Sequence, residues 1–322
     1  MSSRVQMSNA QRQVRIAGIG ICVPERVVTN YELSVSYGVS AYWATEKLGI
    51  SARRICGPSE CTSDLAAISA RKAIDDSGLS YNDIDLVILA TATPDRQAPS
   101  TACLTLHKLG MDKVPAFDLS AVCSGFLFAM TTASQFLKSG MYENVLVIGA
   151  DTFSKVTDWR RRDCVYFGDG SGAVVMQATW DKQAMFEAEM STAADGIENF
   201  TIPPGESHFK MAGKAVFNSA SAMVPSLIGS LLTKSGFRPR DVDRVIPHQP
   251  SVHLLRRIAE LSDLPFEKFY TNMDRLGNTV AATIPLALWD AREAGLLEHG
   301  HLVLFASAGA GMTAGAALMR WN

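Results

Sequence analysis

The sequence predicts an α/β protein whose two duplicated halves stack in αβαβα layers. Residues 77–90 and 235–248 match at a spacing of 158 residues, and both pass from a helix end at Ser-Gly through a polar turn into an apolar strand. Residues 137–150 and 292–305 match at a spacing of 155 residues. Because the two matches agree in order and nearly in spacing, they indicate an internal duplication.

Each half is predicted to contain strands that are covered on both faces. Residues 86–90 and 145–148 are continuous apolar runs, a pattern typical of buried parallel strands. Residues 122–137 carry no charge, which indicates a helix that is buried on all sides and ends at Gly140. We expect the two halves to share this buried helical layer.

The chain is long for a single core, and we divide it into three parts. These are a disordered tail over residues 1–12, an N-terminal thiol-bearing half over residues 13–180, and a C-terminal half over residues 181–322. Because no low-complexity linker separates the halves, we expect them to pack as one unit.

The composition is that of an ordinary soluble globular protein. Hydrophobic residues make up 47% and charged residues 19%, and the net charge of -2 gives no overall attraction to nucleic acid or anionic membranes. The uncharged run 302–319 is interrupted by Gly309, Gly311 and Gly315, so it predicts strand, turn and strand rather than a membrane span. The polar first dozen residues lack the apolar stretch of a signal peptide. We therefore expect a cytoplasmic protein.

The cysteines give no sign of a metal site or of disulfides. No two of them form a C-x-x-C pair, and no histidine cluster has metal-ligand spacing. In a reducing cytosol we expect free thiols and no metal. The six cysteines are at positions 22, 56, 61, 103, 123 and 164.

One cysteine, Cys123, lies where a nucleophile would be placed. In D-L-S-A-V-C-S-G-F (residues 118–126), a strand leads through a short turn to the start of the uncharged helix. The positive end of the helix dipole favours a thiolate, and small neighbours leave room for a substrate. An isolated cysteine is more often a core residue, but this position favours a nucleophile.

The duplication adds two partners to Cys123. With the spacing of 155 residues, Cys123 aligns with Asn278. With the spacing of 158 residues, the strand that matches residues 86–90 ends at His248. A pseudo-twofold axis brings such strand and helix ends together, and Cys, His and Asn can support thioester chemistry. Alone, His248 is equally well explained as a structural histidine and Asn278 as a turn residue beside Gly277.

In these motifs the chain resembles the β-ketoacyl-acyl carrier protein synthase III family of the thiolase superfamily. The resemblance runs from I-A-G-I-G-I-C-V-P-E-R-V-V-T-N (residues 16–30) to the last strand and includes F-G-D-G-S-G-A, M-A-G-K-A-V-F, I-P-H-Q-P-S and R-L-G-N-T. It implies a thiolase-like fold, a homodimer, an acyl-CoA donor and a malonyl-acyl carrier protein acceptor. It also implies no cofactor beyond the phosphopantetheine-bearing substrates, and no nucleic-acid or membrane partner.

The resemblance also implies a role for each central residue. Cys123 would take the acyl group, and the backbone N–H groups of Cys123 and Ala310 would form the oxyanion hole. His248 and Asn278 would stabilise the enolate that decarboxylation of the malonyl thioester produces. The C–C bond to the acyl group would then form and release a β-ketoacyl product.

More peripheral positions are matched with the family's ligand contacts. The CoA contacts would come from a tryptophan and four basic residues: Trp43, Lys47, Arg160, Arg161 and Arg162. Arg256 and Arg257 would face the carrier protein, with His253 where the family usually has an arginine. Since F-G-D-G-S-G-A lacks the Lys and spacing of a phosphate loop, it is interpreted as a tight turn between strands.

Three departures from the family concern the acyl pocket. Ala308 replaces a phenylalanine, Ala314 replaces an aromatic residue, and the loop over residues 201–210 is short. We expect a pocket lined by Ala308 and Phe217 that accepts an acyl group larger than acetyl.

Several alternatives remain open at this level. A specialised condensing enzyme of secondary metabolite or cofactor synthesis, or an enzyme that transfers acyl groups to oxygen or nitrogen, would share the scaffold. A degradative thiolase would need a second cysteine near residues 307–315, and a hydroxymethylglutaryl-type synthase would need a glutamate near Cys123. A non-catalytic heterodimer subunit would have lost part of the Cys, His and Asn set.

Overall fold

The computed structural model describes residues 12–322. Residues 1–11 of the predicted tail therefore lie outside the described residues. The strands are β1 (Gln13–Cys22), β2 (Val27–Thr29), β3 (Ala52–Arg54), β4 (Leu86–Ala90), β5 (Ala116–Leu119), β6 (Asn144–Asp151), β7 (Gly170–Thr179), β8 (Phe186–Thr192), β9 (Phe200–Thr201), β10 (Lys210–Met211), β11 (Arg244–Pro247), β12 (Leu302–Gly309) and β13 (Thr313–Arg320). The α-helices are α1 (Asn30–Tyr37), α2 (Ala41–Trp43), α3 (Thr62–Ser77), α4 (Thr101–Leu109), α5 (Gly125–Lys138), α6 (Gly213–Lys234), α7 (Val252–Leu261), α8 (Met273–Leu276) and α9 (Thr283–Glu293).

Two sheets repeat one connection pattern. The first has the order β1-β7-β6-β4-β5, with β4 parallel to β5 and β6 and the other pairs antiparallel. The second has the order β11-β12-β13-β8, with β11 parallel to β12 and the remaining pairs antiparallel. The counterpart of β5 is reduced to a single parallel bridge between Val245 and Phe269. The second sheet is therefore an abbreviated copy of the first.

The core confirms the predicted αβαβα layers. Helices α5 and α9 pack between the two sheets, where Phe126 and Leu288 meet Phe305 of β12 and Ile88 of β4. Helices α3 and α4 cover the outer face of the first sheet, and α6 and α7 cover that of the second. Every residue of β4 is buried, as expected for a strand covered on both faces.

The structural repeat has one spacing where the sequence indicated two. A 3-10 turn at Val122–Ser124 precedes α5 and another at Val280–Ala282 precedes α9, and these turns are separated by the longer of the two spacings. Strands β6 and β12 begin at the same longer spacing. The shorter spacing holds only at the ends of α5 and α9, because α9 is the shorter helix. The prediction that Cys123 corresponds to Asn278 is therefore wrong, and its counterpart is Ala281.

The last apolar run folds as predicted. Residues 302–319 form β12, a turn and β13, so this run is not a membrane span. Within residues 12–322 one helix, α6, is long and apolar enough to cross a membrane by length and composition. Its outer-layer packing on the second sheet is equally typical of a core helix of a globular protein.

A buried arginine fastens the segments around the functional centre. Arg53 of β3 is fully buried and donates to Val28 O at 3.1 Å, Asn30 Oδ1 at 2.8 Å and Val165 O at 2.7 Å. Burial lowers its pKa to about 10, so the guanidinium remains charged near neutral pH. Three segments of the chain therefore depend on one side chain.

Replacing Arg53 with methionine is expected to lower the free energy of unfolding by about 3 kcal/mol, because three buried acceptors lose a charged donor. Urea unfolding followed by circular dichroism measures the change. Arg54→Met is the matched control, since the bonds of Arg54 to Pro24 O at 3.4 Å and Glu25 O at 3.0 Å are not fully buried. Equal losses in the two variants would contradict this role of Arg53.

Candidate active site

Cys123 lies in the 3-10 turn that joins β5 to α5. The preceding residue, Val122, has φ of 48°, a left-handed conformation that is strained for a β-branched side chain. The turn presents Cys123 to a cavity whose wall it helps to form, and the residue is 9% exposed. A strained residue beside a buried thiol is typical of a functional site.

The expected thiolate at Cys123 is not supported. Burial raises the pKa of the Cys123 thiol far above its ordinary value, and the carboxylate of Asp151 raises it further. Hydrogen bonds from the Cys123 backbone and the Asn278 side chain oppose these effects without overcoming them. Desolvation therefore outweighs the helix dipole and keeps the thiol protonated.

Asn278 lines the same cavity as Cys123, although it is not the structural counterpart of Cys123. Its backbone pairs with the neighbouring segment, through Asn278 N to Tyr166 O at 2.8 Å and Gly168 N to Asn278 O at 3.0 Å. Its Oδ1 accepts from Val280 N at 2.9 Å. The amide NH2 group therefore remains as a donor for the cavity, and the Asn278 side chain lowers the pKa of the Cys123 thiol.

His248 follows β11 and lines the same cavity as Cys123 and Asn278. Its backbone N donates to Ala306 O at 2.8 Å, which extends the pairing of β11 with β12. The side chain is 4% exposed, and its Nδ1 finds no hydrogen-bond partner among residues 12–322. Burial lowers the pKa of His248 to about 3, opposed by a hydrogen bond to the Val280 backbone. The imidazole is therefore neutral.

The ionisation of His248 is expected to make the protein less stable in mild acid. Since the folded pKa of about 3 lies below the unfolded value of 6.5, only the unfolded chain binds a proton as the pH falls below 6.5. From pH 7 to pH 5, the wild-type protein should lose about 2 kcal/mol relative to His248→Gln. Urea unfolding of both proteins at the two pH values measures this. Parallel losses would show that His248 is not held neutral.

A buried carboxylate that the sequence did not reveal ties the first sheet to the turn before α9, behind the thiol. Asp151 ends β6, accepts from Ala92 N at 2.8 Å and Thr93 Oγ1 at 2.8 Å, and accepts from Ala281 N at 3.0 Å. Burial raises the pKa of Asp151 to about 6 against these hydrogen bonds. Asp151 thereby fixes the Val280–Ala282 turn next to Cys123.

The glycine-rich end of β12 lies against the Cys123 turn. A Cβ at Gly309 would lie 2.8 Å from Ala121 O and 2.9 Å from Ser124 N, so only glycine permits this approach. Thr313 Oγ1 donates at 3.3 Å to Ala121 O and at 3.3 Å to Ala310 O. These contacts bring the predicted oxyanion residue Ala310 to the nucleophile, and both line the cavity.

The cavity has a mouth on the side of Trp43. Tyr166, Met211 and Gly213 line both the cavity and an adjoining surface pocket that also includes Trp43 and Arg162. The cavity has a volume of about 110 Å³. An elongated substrate can thus reach Cys123 from the surface at Trp43.

The three consecutive arginines differ in their surroundings. Arg162 covers the Trp43 ring at 4.4 Å. Arg161 also lines the mouth but pairs with Asp163, and Arg160 is 84% exposed and pairs with Asp158. The exposed Lys47 lies on the turn after Trp43 and does not line the mouth.

The predicted carrier-docking arginines are exposed on α7. Arg256 lies over the Phe266 ring at 4.4 Å, and Arg257 pairs with Glu260 at 2.7 Å. His253, on the same helix, is also exposed. This exposed face of α7 is available to a partner, although Glu260 partly neutralises the charge of Arg257.

The glycine-rich motif at residues 167–173 is not a turn between two strands. It follows a 3-10 helix and its second part forms the start of β7. Asp169 in this motif is buried and accepts from Cys56 N at 2.8 Å and Ser154 N at 2.8 Å. The motif is structural. Within residues 12–322 no group of three or more His, Cys, Asp and Glu side chains could hold a metal ion.

Comparisons with known proteins agree with this geometry. The family model "3-Oxoacyl-[acyl-carrier-protein (ACP)] synthase III" matches residues 117–196, and its C-terminal counterpart matches residues 232–321. A β-ketoacyl-[acyl-carrier-protein] synthase III of Erythrobacter litoralis is 41% identical over 316 residues, which cover 95% of this chain and 98% of that protein.

Solved structures give the same result. The 3-oxoacyl-[acyl-carrier-protein] synthase III of Aquifex aeolicus superposes with a TM-score of 0.93 at 39% identity, covering 96% of this chain and 100% of the other. The priming β-ketosynthase of the R1128 polyketide pathway superposes with a TM-score of 0.91 at 27% identity, covering 97% of both chains. These relatives are condensing synthases. Neither acyl transfer to oxygen or nitrogen nor a non-catalytic heterodimer subunit is needed to explain the similarity. The thiolase-like fold, the matches along nearly the whole chain and the assembled Cys, His and Asn side chains show that the chain belongs to the β-ketoacyl-acyl carrier protein synthase III family of condensing acyltransferases.

Proposed function

We propose that Cys123, His248 and Asn278 carry out a decarboxylative condensation between an acyl-CoA and a malonyl-acyl carrier protein. The observation that carries this proposal is that Cys123, Asn278 and a neutral His248 line one cavity. The family membership supplies the reaction class.

In the first half-reaction, Cys123 Sγ attacks the donor thioester carbonyl, and the bond from that carbon to the CoA sulfur breaks. The thiol proton leaves with CoA as its free thiol. The backbone N–H groups of Cys123 and Ala310 stabilise the developing oxyanion, since Gly309 and Thr313 hold the two segments together. The product is an acyl-Cys123 thioester.

In the second half-reaction, the malonyl thioester loses carbon dioxide and the electron pair of the broken C–C bond passes to an enolate. A neutral His248 with a proton on one ring nitrogen and the Asn278 NH2 group donate to the enolate oxygen. The carbanion attacks the acyl carbonyl, and the bond from that carbon to Cys123 Sγ breaks with its electrons on sulfur. A proton taken up from water restores the thiol. The β-ketoacyl thioester is released.

The surroundings of the cavity support the choice of partners. We propose that CoA and the phosphopantetheine arm enter at Trp43, where Arg162 and Arg161 offer positive charge to phosphate. Lys47 and Arg160 would contact the same ligand at longer range, and Arg256 and Arg257 would face the acidic carrier. Metal and redox cofactors have no step in this reaction.

The remaining proposals concern the assembly and the acyl pocket. A homodimer is supported by β5, the outer strand of the first sheet, on which Phe117 is 37% exposed. We propose a cytoplasmic enzyme of fatty acid synthesis in which Ala308 and Phe217 line the acyl pocket.

The test combines two measurements on the wild-type protein. Intact-protein mass spectrometry after incubation with a panel of acyl-CoA donors should show one acyl adduct. Addition of malonyl-acyl carrier protein with an isotopically labelled carboxyl group should then release labelled carbon dioxide and a β-ketoacyl product. An adduct without carbon dioxide release would contradict condensation. Malonyl-CoA as a parallel acceptor tests whether the carrier protein is required.

A further inference from the structure

The buried carboxylate of Asp151 has no cationic partner. Asp151 is fully buried, and every hydrogen bond that it accepts comes from a neutral group: the backbone N–H groups of Ala92 and Ala281 and the hydroxyl groups of Thr91 and Thr93. In the described part of the chain, no lysine, arginine or histidine forms an ion pair with it. A buried charge without a counter-ion is costly, and such groups are concentrated at functional sites.

The donors to Asp151 adjoin the nucleophile. Ala92 packs against the apolar cluster that contains Cys123. Ala281 lies against the start of α5, since a Cβ at Gly125 would be 3.8 Å from the Ala281 Cβ. The carboxylate is therefore held behind the turn that presents Cys123.

No positive charge faces the thiol from the cavity. Among the described residues that line the cavity, the ionisable side chains are Cys123, Tyr166 and His248, and there is no lysine or arginine. His248 is held neutral by burial, which lowers its pKa to about 3. The negative charge of Asp151 therefore acts on Cys123 without a compensating cation, and it raises the pKa of the thiol.

We propose that Asp151 is a positioning residue that acts through its charge: the carboxylate keeps the proton on Cys123 Sγ until a donor thioester is bound. This inference rests on the proposed role of Cys123. When Sγ bonds to the donor carbonyl carbon, the bond from that carbon to the CoA sulfur breaks and the retained proton passes to the CoA sulfur. Because the thiolate is the form of cysteine that reacts with alkylating agents and peroxides, the same charge protects the nucleophile between turnovers.

The effect of Asp151 on Cys123 should depend on pH. Burial raises the pKa of Asp151 to about 6. At pH 8 the carboxylate is ionised and opposes the ionisation of the thiol, whereas at pH 5 it is mostly protonated and the opposition is lost. An influence of Asp151 through its shape alone would not change in this way.

The test measures the alkylation of Cys123 by iodoacetamide in wild type and in Asp151→Asn, a change of nearly equal shape that removes the charge. Alkylation forms a bond from Sγ to carbon, releases iodide and passes the thiol proton to water. Peptide mass spectrometry follows Cys123 separately from the other thiols. At pH 8 Asp151→Asn should react about tenfold faster than wild type, and at pH 5 the two rates should agree within about twofold.

Asp169→Asn is the matched control, because Asp169 is also buried, accepts from Cys56 N and Ser154 N at 2.8 Å, and does not line the cavity. Its alkylation rates should equal those of wild type at both pH values. If circular dichroism shows that Asp151→Asn is unfolded, Thr91→Val replaces it. Loss of the Thr91 hydroxyl raises the pKa of the carboxyl group, so alkylation should be faster than in wild type at pH 6.5 and equal at pH 8.

Equal rates for wild type and Asp151→Asn at pH 8, or a difference that persists at pH 5, would overturn this inference. Acylation by the panel of acyl-CoA donors is measured on the same proteins. An acyl adduct on wild type, together with alkylation that does not respond to Asp151, would overturn this inference alone. Absence of any adduct with all donors would overturn the proposed function itself.

Discussion

Cys123→Ala is expected to abolish both the acyl adduct and the β-ketoacyl product, because Cys123 is the only thiol among the described residues that line the cavity. Loss of a covalent nucleophile removes the reaction path rather than one contribution to it. Intact-protein mass spectrometry after incubation with acyl-CoA measures the adduct, and product formation is followed by liquid chromatography and mass spectrometry.

Cys103→Ala is the matched control for this experiment. Cys103 is an exposed free thiol on α4, so it is the thiol most accessible to direct acylation by a reactive thioester among residues 12–322. Its removal should leave the adduct and the turnover unchanged. An adduct that persists in Cys123→Ala and disappears in Cys103→Ala would move the nucleophile away from the cavity.

His248→Ala and Asn278→Ala are expected to slow carbon dioxide release from malonyl-acyl carrier protein by at least about a hundredfold, as each removes a hydrogen-bond donor to the enolate. Acylation of Cys123 should persist in both variants, since neither residue forms the oxyanion hole of the first half-reaction. The two half-reactions are measured separately, by adduct mass and by labelled carbon dioxide.

His208→Ala controls for the loss of an imidazole elsewhere. His208 is partly exposed, contacts Ser207 Oγ at 3.2 Å and does not line the cavity, so its removal should change neither half-reaction. Asn278→Ala also frees the Val280 N–H, and retained acylation shows that the turn still forms. A proportional loss of acylation and decarboxylation in His248→Ala would contradict a role confined to the second half-reaction.

The sequence predicted the layered fold, and it assigned Cys123, His248 and Asn278 to one site; these three residues line one cavity. Runs such as Leu86–Ala90 are apolar because both faces of the strand are covered, and that requirement is visible without coordinates. The turn at Cys123 and the strand before His248 each have a counterpart in the other half of the repeat, at Val280–Ala282 and at Leu86–Ala90. Periodicity and repetition therefore predicted the fold, and the family resemblance supplied the roles of the three residues.

The predictions that failed depend on contacts between residues far apart in sequence or on local differences in helix length. The shorter of the two repeat spacings reflects only the reduced length of α9, so it misaligned Cys123 with Asn278. The thiolate expectation included the helix dipole but not the depth of burial, which raises the thiol pKa. Asp151 escaped notice because its partners Ala92 and Ala281 lie far away in sequence.

The carboxylate of Asp151 has a consequence for how the protein reaches its active form. Its partners Ala92 and Ala281 belong to different halves of the fold, and the bond from Ala281 spans 130 residues of chain. Contacts of such sequence separation cost more loop entropy than contacts inside a single sheet and its helices. The surroundings of Cys123 are therefore completed only when the two halves of the fold have docked. A chain in which only one half is folded is without catalytic competence.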